Sequence, residues 1–131
     1  MKDKRTNLYE AIEFDNIRDV LNNAVKKYPN NNAFIIKEVI DKKIEYKKIT
    51  YKEFGEQINQ LGTALIKNNL KGKRIAIIGK NRYEWILSYV SVINGTGVVV
   101  PLDKGLPEQE IENSLIRSGA EAIIFEKTYI D

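Results

Sequence analysis

The chain has 131 residues, a formal net charge of +3, and 43% hydrophobic and 30% charged residues, the balance of a folded chain rather than a disordered one. It contains neither cysteine nor histidine, which excludes thiol chemistry, disulfides, imidazole general-base catalysis and the usual zinc ligand sets from its own residues. Its lysines are scattered along the sequence, so the charge balance points to neither nucleic acid nor membrane.

Met1-Lys2-Asp3-Lys4-Arg5 is charged and no apolar run follows, so no signal peptide is read. No stretch approaches the roughly 18 apolar residues of a transmembrane helix, and a cytoplasmic protein is expected. Residues 1–15 are expected to be a flexible lead-in. Ile17, Val20, Leu21, Ala24, Val25 and Tyr28 then fall at helical spacing, with Asp15 or Asn16 as N-cap and Pro29 as the stop. Ala33 to Ile36 and Ile44 to Tyr46 predict a hairpin around Asp41-Lys42. Lys42-Lys43 and Lys47-Lys48 sit near the hairpin and read as solvated surface, because aromatic stacking partners and a recognition motif for nucleic acid are lacking.

Thr50-Tyr51-Lys52-Glu53 is a capping box, in which hydroxyl and carboxylate each satisfy an orphan backbone N–H. The helix it opens carries Tyr51, Phe54, Ile58, Leu61 and Leu65 on one stripe and Lys52, Glu56, Asn59 and Lys67 on the other face. Arg74 to Ile78 is a short apolar strand, followed by Asn81 and Glu84 as a second capping-box-like start. The next helix, Tyr83 to about Ile93, is apolar on more than one face and is expected to be largely buried. Val98 to Pro101 reads as a buried strand, Pro107 as the first turn of a helix closed by Gly119, and Ala122 to Phe125 as the last strand. The expected fold is a single α/β domain over residues 1–131. In it a helix, a β-hairpin and an amphipathic helix precede a βαβαβ unit with parallel strands and right-handed crossovers.

Ile78-Gly79-Lys80-Asn81 sits where a phosphate loop would, but Arg74 occupies the first glycine position and Asn81 replaces the metal-binding hydroxyl. Gly79 is therefore read as a tight strand-to-helix turn. Asn94-Gly95-Thr96-Gly97 precedes a strand instead of following one, and reads as a helix C-cap. Glu108, Glu110 and Glu112 are spaced by two and do not share a helix face, so they form no acid–base pair and instead suit the positive end of the helix. Asp103, Lys80 and Glu126 lie just beyond the C-terminal ends of the three expected parallel strands, where such sheets bind ligands. No nucleophile–base pair, metal cluster or phosphate cradle can be assembled, and no catalytic, cofactor-binding or metal-binding residue is assigned; Asp103 reads as a structural loop residue.

Three segments, Ile49 to Phe54 with Gly62 and Ala64-Leu65, Gly72 to Ile77 with Asn81 and Glu84-Trp85, and Asn94 to Asp103, together resemble the acyl-adenylate-forming enzymes, the AMP-binding acid–CoA ligases and their adenylation-domain relatives. Ile49-Thr50-Tyr51-Lys52-Glu53-Phe54 with Gly62 and Ala64-Leu65 resembles their "TYxEF … lGxAL" opening. Gly72 to Ile77 with Asn81 and Glu84-Trp85 resembles "GdrVai…N…ew", and Asn94 to Asp103 resembles "GAvvvPLd", with Thr96-Gly97 where many members have Gly-Ala. Ile17 to Phe34, including Tyr28-Pro29, echoes the leading phrase. The Pro101-Leu102-Asp103 variety is most similar to the long-chain fatty acid–CoA ligase branch.

The resemblance implies an ATP-dependent ligase that forms an acyl-adenylate from a small carboxylic acid, with Mg²⁺ accompanying ATP, and passes the acyl group to coenzyme A. It also implies a Ser/Thr/Gly-rich loop and a lysine on a mobile C-terminal domain, neither of which is found before Asp131. The expectation is thus an N-terminal portion of a larger ligase that is inactive and binds none of these cofactors alone. It would self-associate through apolar surface left without neighbours. A stand-alone, non-catalytic α/β binding module is the alternative.

Overall fold

The computed structural model describes residues 12–129. Much of the lead-in expected at residues 1–15 therefore lies outside the described residues, while residues 12–16 carry no helix or strand. Helix α1 (Ile17–Lys27) is capped by Asn16, whose side chain accepts from the Asp19 N–H at 3.0 Å; of the two caps the sequence offered, the asparagine serves. Strands β1 (Asn32–Ile40) and β2 (Lys43–Thr50) form the antiparallel hairpin and run further than their apolar centres suggested. Cross-strand pairing carries them to the tip, where Asp41 and Lys42 take φ of 50° and 64°. Two left-handed residues give the turn whose twist matches the strands.

Helix α2 (Tyr51–Lys67) begins with the capping box intact: the Glu53 N–H donates to Thr50 Oγ1 at 3.2 Å, and the Thr50 N–H donates to Glu53 Oε2 at 2.7 Å. Its apolar stripe buries Phe54 and Ile58 with Ile49, beside Leu21, Phe34, Ile36 and Tyr83. Phe34 meets both Phe54 and Tyr83 edge-on, at centroid distances of 4.9 and 5.1 Å. This cluster ties the hairpin to the helices.

Strands β3 (Arg74–Ile78), β4 (Val98–Pro101) and β5 (Ala122–Phe125) form a parallel sheet in the order β4-β3-β5, with Ile77 opposite both Pro101 and Ile124. The central strand carries the second core: Ile75, Ile77 and Val92 are sealed among Leu65, Leu70, Trp85, Tyr89, Val99 and Ile124. Strand β4 is an edge strand among the described residues, so Val98 remains 54% exposed, and the expectation of a fully buried strand is corrected. Pro101 can close it because an edge strand does not require every N–H.

Helix α3 (Tyr83–Ser91) links β3 to β4 and continues as a wide π-turn over Val92–Thr96. It is half-buried rather than largely buried, with Ile86 on its open side. Its buried face is lined by Ser88 and Ser91, whose hydroxyls satisfy carbonyls of their own helix at 2.7 Å. The helix ends as the C-cap expected at Asn94 to Gly97: Gly95 has φ 111° and the Gly97 N–H returns to the Val92 carbonyl. Helix α4 (Glu108–Ser118) starts after Pro107 and closes on left-handed Gly119, and its acidic first turn is exposed.

Candidate functional site

The sheet brings the C-terminal ends of β3 and β5 level, with Ile78 opposite Phe125. Beyond them the turn Gly79-Lys80 and the segment starting at Glu126 border an open cleft of about 330 Å³. Its floor is Ile77, Ile124 and Phe125, and its wall is Trp85, stacked on Tyr89 at 5.3 Å. The rim carries Lys80, Arg82, Glu84 and Glu126.

Glu126 organises that rim. Its side chain is only 15% exposed, and it receives the Lys80 backbone N–H at 3.3 Å while lying 3.5 Å from Arg82 Nη1 and 3.8 Å from Lys80 Nζ. Arg82 in turn grips Glu84 with Nε and Nη2 at 2.6 and 3.1 Å, a bidentate pair. The guanidinium hydrogen bond, opposed by partial burial, holds the Glu84 carboxyl below its ordinary range, and the same pairing raises Arg82 further. Sequence reasoning placed Asn81 as the cap of α3, but Arg82 holds that position without a side-chain cap bond. Its long side chain satisfies neighbouring carboxylates instead. On the hairpin side, Tyr83 donates to Gln57 Oε1 at 3.0 Å, and burial pushes its hydroxyl pKa up.

Of the strand-end residues singled out from sequence, Lys80 and Glu126 are brought together and Asp103 is not. Asp103 Oδ1 accepts the Gly105 N–H at 2.8 Å and locks its own loop, which the Tyr129 hydroxyl braces through the Lys104 carbonyl. Arg82 and Trp85 are the cleft residues that sequence reasoning did not select. The signal for Arg82 was its place two residues after Lys80, at the start of a helix.

The strand-to-helix turn fits a nucleotide phosphate poorly. The Lys80 amide N–H that could donate to a phosphate oxygen already donates to Glu126, and that carboxylate would repel an anion. No step of phosphate chemistry can be derived from these residues. No grouping of acidic side chains able to hold a metal occurs among the described residues, and no described helix is long and apolar enough to cross a membrane.

Residues 21–130 match the family model for AMP-binding enzymes. The chain belongs to the AMP-binding enzyme family. It is 34% identical over 86 residues to Long chain acyl-CoA synthetase 1 of Arabidopsis thaliana, covering 64% of this chain and 13% of the plant protein. It is 26% identical over 100 residues to Bacitracin synthase 2 of Bacillus licheniformis, covering 76% of this chain and 4% of that protein. Among solved structures it resembles the NpsA N-terminal subdomain of Klebsiella oxytoca in complex with 3-hydroxyanthranilyl-AMSN, with a TM-score of 0.72 and 26% identity. That match covers 86% of this chain and 27% of the Klebsiella chain. The chain thus spans a small part of the relatives it matches, and its parallel sheet is that of the N-terminal subdomain of adenylate-forming enzymes.

Proposed function

We propose that the chain is the N-terminal structural portion of an ATP-dependent fatty acid–CoA ligase acting through an acyl-adenylate. In this reading residues 1–131 form one α/β unit of a larger ligase domain. The observation that carries it is the AMP-binding match over residues 21–130 on a parallel sheet whose strand-end charges are spent on one another. Arg82 and Lys80 converge on Glu126, which fixes the β3–α3 turn to the end of β5 and gives a stiff frame. The fatty acid class is supported by the likeness to the plant long-chain synthetase and by Pro101-Leu102-Asp103.

ATP, Mg²⁺ and coenzyme A would be held by residues other than these, and the isolated chain neither binds them nor catalyses the reaction. The enzyme works in the cytoplasm. Exposed Ile116, Val98 and Phe125 provide apolar surface through which the isolated chain self-associates, a behaviour light scattering reads directly. The coding DNA beyond Asp131 tests the reading. A frame leading into a Ser/Thr/Gly-rich loop supports the ligase; unrelated sequence after an intact stop codon supports a stand-alone binding module.

A further inference from the structure

The hairpin confines its strand carboxylates to one face. Phe34, Ile36 and Ile49 point into the core, and because successive strand residues alternate, the opposite face is set by the pairs Ile35–Lys48, Lys37–Tyr46 and Val39–Ile44. On that outer face Ile35, Val39, Ile44 and Tyr46 are 60, 69, 56 and 61% exposed. The acidic strand residues, Glu38 and Glu45, pair with each other on the other face. The outer face therefore mixes aliphatic groups, one tyrosine and lysines, with no strand carboxylate. The register puts Lys37 and Lys48 on this face and Lys43 and Lys47 on the other, where the two carboxylates offset them.

We propose that this outer face of the hairpin is a peripheral docking surface for an anionic lipid bilayer. Ile35, Val39 and Ile44 would enter the headgroup–acyl boundary, Tyr46 would sit at the interface, and Lys37 and Lys48 would extend their amines to lipid phosphates. Charge decides against the chain's own first residues as the cover. Met1 to Ala11 carry Lys2, Lys4 and Arg5 against Asp3 and Glu10, so that segment has the same sign as the face. Nucleic acid would use the lysines but leave the central aliphatic side chains without a role, since bases stack on aromatic rings. A lipid surface uses both kinds of group. The proposal is independent of the ligase reading.

Co-sedimentation of the full 131-residue chain with vesicles tests it. Binding is expected to vesicles of equal parts phosphatidylcholine and phosphatidylglycerol, to weaken in high salt, and to be negligible with phosphatidylcholine alone. Replacing Lys37→Gln and Lys48→Gln lowers the partition coefficient about fivefold each and about 30-fold together. Val39→Asn with Ile44→Asn abolishes the binding that survives high salt, and Lys67→Gln with Lys71→Gln leaves binding unchanged. Circular dichroism and an unchanged urea midpoint for the Lys37/Lys48 variant keep folding out of the comparison. No binding to the anionic vesicles, equal binding by the Lys37/Lys48 variant, or equal loss in the Lys67/Lys71 variant overturns the proposal. So does capture of polyglutamate or duplex DNA that matches the vesicles and ignores Val39 and Ile44, since that would make the face a plain cation patch.

Discussion

Replacing Thr96 by valine isolates one hydrogen bond where α2 packs against the end of α3. Thr96 is 3% exposed, and its hydroxyl lies 3.0 Å from the Ser91 carbonyl and 3.5 Å from that of Gly62. A hydroxyl has one proton, and the shorter contact takes it. The Ser91 carbonyl sits where α3 widens into the π-turn, and the Thr96 hydroxyl donates to it from the last residue of that turn. Valine keeps the shape and removes the donor, leaving that buried carbonyl short of one partner at a cost of about 1–3 kcal/mol. Thr96→Ser keeps the donor and loses a methyl group, at about 1 kcal/mol.

Urea unfolding followed by Trp85 fluorescence reads the difference. With a slope of about 1.5 kcal/mol/M, a 2 kcal/mol loss moves the midpoint down by about 1.3 M for valine and about half that for serine. A valine variant as stable as the parent, or more stable than the serine variant, would show that packing rather than the hydroxyl holds this crossing.

Further outcomes follow from other parts of the structure. Ile77→Ala, at a side chain 1% exposed in the centre of the sheet, should cost about 2–5 kcal/mol by the same unfolding measurement. Lys42→Gly should stabilise the hairpin by about 1 kcal/mol, because lysine is strained at φ 64° and glycine is not; calorimetry would show a raised Tm. Glu53 has its pKa held below the ordinary 4.5 by the Thr50 N–H first and the Thr50 hydroxyl second. A depressed carboxylate contributes stability that is complete above the unfolded pKa and is lost as pH falls through the lower folded one. Thermal unfolding of Glu53→Gln across the acid range should accordingly show a shallower loss of Tm below pH 4.5 than the parent.

What the sequence disclosed was the part written in local chemistry. The Thr50–Glu53 box, the Pro107 and Gly119 boundaries and the parallel-sheet order of strands depend on residues close together in the chain or on plain apolar runs. The tie between Arg82 and Glu126 was not legible, because the two are 44 residues apart and are brought together only by the β3–β5 pairing. For the same reason Lys80 and Glu126 could be placed at one sheet edge but not joined as a pair. The absence of carboxylates from the hairpin's outer face also needed the register, since shifting it by one residue would exchange Lys37 with Glu38 there. Asp103 was legible as a loop residue, its Asx turn to Gly105 being wholly local.

The central claim is that this AMP-binding family chain is framework, with the chemistry of the ligase carried by residues outside it. ATP–pyrophosphate exchange by the purified 131-residue chain, with ATP, Mg²⁺ and a panel of medium- and long-chain fatty acids, tests it most directly. The account predicts exchange no greater than buffer with every acid. Carboxylate-dependent exchange that is lost on unfolding the chain would contradict it.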